Sequence, residues 1–137
     1  MVAAGVDVGM VKKLDAASLS LLNDLRDHLW RVAASKGFHD EDQEASGIAR
    51  YIANLHGEVS ELWEAFRHGA LNKPCDKADE MVAAGIPALT CAEEEIADIL
   101  IRVLDTAKAL SIDVAFAVAN KDAFNQTRSH RHGGKIA

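Results

Sequence analysis

Between residues 48 and 66 the apolar side chains Ile48, Ile52, Leu55, Val59, Leu62 and Phe66 recur at alternating steps of four and three. No other feature narrows the folding options of this chain as much. A strand places apolar residues at every second position, whereas steps of four and three return to one side of an α-helix. The stretch predicts a helix over about 44–68, closed by Gly69. A repeat this regular suits close antiparallel packing or an interface between subunits.

Three further helices follow from the same pattern. Leu22, Leu25, Leu29 and Val32 share a face of a helix over about 20–36, with Gly37 as its stop. Thr90 and Glu93 form a capping box at the start of another. Its apolar side is Ile96, Ile99, Leu100, Val103, Leu104, Ala107 and Leu110. A last helix is predicted over about 113–126. Residues 70–89 hold both prolines and read as an irregular excursion, of a kind that is often functional or mobile. No stretch alternates convincingly as a strand. The expected fold is therefore an all-α four-helix bundle. A flexible N-terminal segment over 1–17, a helical domain over 18–128 and a basic tail over 129–137 complete the expected organisation.

The bulk properties bound the function. A chain of 137 residues with 49% hydrophobic content suffices for one domain with a core. A net charge of −6 argues against nucleic-acid binding driven by phosphate neutralisation. No apolar run approaches the roughly 18–20 residues that cross a bilayer, and the N-terminus lacks the pattern of a signal peptide. Cys75 and Cys91, the two cysteines, form no CxxC motif. Reduced thiols and a cytoplasmic location are the expectation.

Two carboxylate pairs carry the chemistry. Glu58 and Glu61 are three residues apart on the predicted second helix, and Glu95 and Asp98 are three apart on the third. Such positions are surface neighbours on a helix, so their carboxylates can converge. One such pair alone ordinarily means a solvated face. Two pairs, each flanking an apolar stripe, can bring four carboxylates together at the edge of the core. Held close, they would repel and raise one another's pKa unless a cation neutralised them. Ligands that are all oxygen suit Mg²⁺ or Mn²⁺ rather than zinc. A di-iron carboxylate centre fits less well: it needs Glu-x-x-His pairs, and His56 precedes Glu58 by two.

A second group lies near the end of the last helix. Lys121, Asn125 and Arg128 fall on one face, and Arg131, His132 and Lys135 follow. Cations with an amide donor on one face can grip phosphate oxygens. The alternative is a solvated basic terminus that complements the helix dipole. Taken together, acidic cage and basic grip point to a Mg²⁺-bound polyphosphate.

The pairs Glu58-x-x-Glu61 and Glu95-x-x-Asp98, with LHGEVSELWEAFRHG, EEEIADILIRVLDTAKALSIDV and KDAFNQTRSHRHGGK around them, resemble the signature of MazG-like, all-α nucleoside triphosphate pyrophosphohydrolases. The similarity runs over about residues 20–135. Gly57 departs from the helix-favouring residue more usual there. The resemblance implies hydrolysis of a nucleoside triphosphate, modified and deoxy nucleotides included, to the monophosphate and pyrophosphate. It implies a bundle completed by self-association into homodimers or homotetramers. It makes Glu58, Glu61, Glu95 and Asp98 the metal ligands and Glu61 the candidate base. Lys121, Asn125 and Arg128 would bind phosphate. Arg102 would join them or pair with Asp98 or Asp105. Trp30, Phe38 and His39 lie where similar enzymes place part of the base pocket. Two other readings stand beside this one: a non-catalytic oligomeric helical module, and a pyrophosphohydrolase of another metabolite such as phosphoribosyl-ATP.

Overall fold

The computed structural model describes residues 12–40 and 45–129. Much of the expected N-terminal segment and nearly all of the basic tail, including Arg131, His132 and Lys135, lie outside the described residues. Among the described residues there are five helices: α1 (Ala16–Ser35), α2 (Ala45–Arg67), α3 (Ala78–Ala83), α4 (Cys91–Ala109) and α5 (Val114–Thr127). The fold is all-α, and no strand occurs among the described residues. The helix beyond the expected four is α3, which lies inside the excursion. No helix among the described residues is long and apolar enough to cross a membrane.

The described residues fall into two compact units, one of residues 12–25 with 112–129 and one of residues 26–40 with 45–111. In the first, the start of α5 is held by side chains. Asp113 accepts from the Phe116 amide at 2.9 Å, and Asn23 accepts from the Val114 amide at 2.9 Å. These bonds satisfy amides that the first turn leaves unpaired. Asn23 also donates to Asp113 at 2.9 Å. Near the other end of α5, Gln126 exchanges two hydrogen bonds with the Lys12 backbone, at 2.8 and 2.9 Å.

The second unit is built on the packing of α2 against α4. Here the apolar seam of α2 splits. Ile48, Leu55 and Leu62 are half-buried, whereas Ile52, Val59 and Phe66 are 47%, 48% and 58% exposed. The apolar face of α1 is likewise split: Leu22 and Leu29 are half-buried, whereas Leu25 and Val32 are 39% and 47% exposed. Leu104 of α4 is the deepest large side chain, with Tyr51, Cys75, Ala78 and Ala107 also buried. Gly37 and Gly69 end their helices with φ of 81° and 62°, a conformation that costs other residues a Cβ clash. The capping box at Thr90 forms with both of its bonds. Lys108 of α4 reaches Asp27 of α1 at 2.9 Å. Arg26 and Lys108 together hold the Asp27 carboxyl down to about 2.

The excursion is tied to α4 rather than loose. Cys75 N donates to Leu89 O, Cys91 N to Lys73 O and Ala92 N to Leu71 O, at 2.9–3.0 Å. Cys75 and Ala78 plug it into the core. Both cysteines are free thiols.

Candidate functional site

The α2–α4 pair carries the site because each helix presents its carboxylates beside its packed face. Glu58 of α2 and Glu95 and Asp98 of α4 each place a carboxylate oxygen within 4.8 Å of the other two. All three residues are half-buried. Glu95 Oε2 is buried without a hydrogen-bond partner. A buried carboxylate oxygen left in that state is costly, and a cation would relieve it. Burial pushes the Glu95 carboxyl up to about 7, helped by Glu61, Glu94, Asp98 and Glu58 around it. The Asp98 carboxyl is also raised, first by burial and then by Glu58 and Glu94, against the opposing pull of Lys77 and Arg102. Three converging carboxylates, with Glu95 and Asp98 held above their usual range, form a donor set suited to a hard divalent cation.

Of the four expected ligands, Glu61 stands apart. It is exposed and lies outside the three-oxygen cluster. Its charge is nonetheless close enough to raise Glu95.

Arg102 takes a partner that sequence spacing did not predict. Its Nε donates to Glu58 Oε1 at 2.9 Å, across the two helices, rather than to Asp98 or Asp105. A second cation comes from the excursion. Lys77, beside α3, reaches Glu94 at 2.5 Å, and Glu94 is buried. That carboxylate holds the Lys77 ammonium well above its usual range. Sequence reasoning missed both Lys77 and Glu94. Their pairing goes with the backbone bonds that fold the excursion back on itself and tie it to the start of α4, and nothing in local spacing reports those.

A polar group is enclosed near the other end of α4. The rings of Trp30 and His39 stack at 3.7 Å with 11° between planes. His39 Nδ1 shares a hydrogen bond with the Tyr51 hydroxyl, and its Nε2 lies 3.4 Å from Asp105 Oδ1. Beside this group lies a cavity of about 270 Å³ lined by Trp30, Gly47, Ile48, Tyr51, Lys108 and Ala109. Trp30 and His39 thus come together as a stacked pair, while Phe38 is 65% exposed. Sequence reasoning did not single out Tyr51, and it considered Asp105 only as a partner of Arg102. The available signal was the seven-residue step from Asp98 to Asp105, which puts both on one side of α4.

In the other unit, Lys121 and Arg128 lie over the Phe124 ring, at 5.2 and 5.8 Å from its centroid. Lys121 and Asn125 also line a shallow groove with Ala117, Val118 and Asp122. The three expected phosphate-binding residues are thus gathered near the end of α5.

Compared with protein-family models, curated proteins and solved structures, the chain has no match.

Proposed function

We propose that the chain is a Mg²⁺-dependent nucleoside triphosphate pyrophosphohydrolase of the MazG-like kind, with Mn²⁺ as an alternative ion, acting in the cytoplasm. The observation that carries this reading is the convergence of Glu58, Glu95 and Asp98, with Glu95 Oε2 buried and unbonded. Glu58, Glu95 and Asp98 hold the ion. When bound, Mg²⁺ neutralises charge on the phosphate chain. Glu61, exposed at the rim, accepts the proton of a water that attacks phosphorus, and pyrophosphate leaves. Lys121, Asn125 and Arg128 are the phosphate-gripping side chains. The Trp30–His39 stack and the cavity beside it offer a flat apolar wall and polar groups to a base.

In this reading the four-helix bundle is completed between copies, in a homodimer or homotetramer. Its support is the apolar stripe left open on each helix of the pair. Ile52, Val59, Trp63 and Phe66 form one on α2, and Ile96, Leu100 and Val103 the other on α4, all at 40% exposure or more.

The test is pyrophosphate release from a panel of standard and modified nucleoside triphosphates with Mg²⁺. At least one is expected to be cleaved, with activity lost in Glu61→Gln and in Asp98→Asn. Absence of cleavage across the panel, together with a melting temperature unmoved by Mg²⁺ and nucleotide, would leave a non-catalytic helical module in its place. Cleavage of phosphoribosyl-ATP alone would redirect the substrate while keeping the chemistry.

A further inference from the structure

We propose that Arg102 is the built-in counter-ion of the carboxylate cluster: it holds Glu58 while no divalent cation is bound and releases it when one enters, freeing its guanidinium for a polyphosphate. This rests on the metal reading above. Glu58 has only 13% of its side chain exposed, so its charge is costly without a partner. Arg102 Nε supplies that partner at 2.9 Å. Yet Glu58 also contributes one of the three clustered oxygens. The same carboxylate is thus claimed by an internal cation and by the candidate ion. A dication attracts it more strongly than a guanidinium at similar distance, so entry of the ion is an exchange of partners. Arg102 is placed for such an exchange. It follows Asp98 by one helical turn, on the same side of α4. Its side chain is 35% exposed, so the released guanidinium keeps access to water and to an anionic ligand. Lys77 differs, because its carboxylate partner, Glu94, is not one of the clustered three.

The experiment is Mn²⁺ binding to the full chain by calorimetry, in wild type, Arg102→Met and Lys77→Met. Arg102→Met is expected to bind Mn²⁺ about tenfold more tightly than wild type, with a much smaller gain in Lys77→Met. With Mn²⁺ saturating, Arg102→Met is expected to bind inorganic tripolyphosphate more weakly than wild type. These opposite signs are the signature of a cation handed from carboxylate to phosphate. Arg102→Gln, which keeps a donor for Glu58 without the charge, shows the same order if the metal-free Met variant does not fold. Unchanged or weaker Mn²⁺ binding in the Arg102 variants overturns the proposal. So does equal tightening in the Arg102 and Lys77 variants, which would reduce the effect to net charge. If none of these proteins binds Mn²⁺, the metal centre itself fails, which is a different result from a failure of Arg102 alone.

Discussion

Glu95 sits where burial and four neighbouring carboxylates act in the same direction. Its carboxyl titrates at about 7 in the folded chain, against 4.5 for an unperturbed glutamate. Between those two values the folded state binds more protons than the unfolded one, so raising the pH through the window costs stability. Metal-free protein is therefore expected to melt at lower temperature as pH rises from about 4.5 to about 7. Glu95→Gln should flatten that slope in scanning calorimetry, and an unchanged slope would place the burden elsewhere. A ligand must be deprotonated to bind a cation, so Mn²⁺ affinity should fall as pH drops below about 7. At this scale the sequence is informative about which carboxylates can meet, because steps of three on a helix leave few alternatives. It does not report how far each is turned toward the packed face. Glu58 turns in and Glu61 stays out, a difference set by how α2 rolls against α4.

Among the elements, α2 is the most legible and also the most revealing. Its boundaries follow from the repeat and from Gly69. The split of its seam does not, because alternation of four and three specifies a stripe without saying what covers each half. Gly57 lies within the helix, and a Cβ added there meets nothing within 4 Å. The glycine thus has no steric reason in this chain. Gly57→Ala should stabilise the protein by about 0.5–1 kcal/mol through the backbone freedom it removes from the unfolded state. A rise in melting temperature checks this, and a fall would reveal a close approach that forms only on assembly. The start of α4 was legible in full, since both bonds of its capping box are present. Thr90→Ala should cost about 1 kcal/mol in denaturant unfolding. The excursion was not legible: its prolines signalled a break, but the bonds that pin it link residues 71–75 to 89–92 and leave no periodic trace.

For the molecule as a whole, the imbalance between core and surface is the leading fact. Leu104 is the one large side chain under 2% exposed among the described residues, while Trp63, Phe66, Ile96 and Phe116 each exceed 55%. Open stripes on both helices of a packed pair are the pattern of a surface that a partner covers. A second copy is the partner proposed above. Phe66→Glu places a charge in the stripe of α2 and should shift the sedimentation coefficient toward a smaller species. If it leaves the distribution unchanged, that stripe does not join copies.

The same stripe carries its own optical reporter. The chain has two tryptophans. Trp30 is stacked on His39 and half-buried, whereas Trp63 is stacked on Phe66 and 57% open to water. Assembly through α2 would dry the indole of Trp63 and leave that of Trp30 where it is. Dilution should therefore move the intrinsic emission to longer wavelength in proportion to the copies that separate, and Trp63→Phe should silence the change. The proposed association can thus be tested in unlabelled protein, through a side chain whose fluorescence would depend on whether it meets water or another copy.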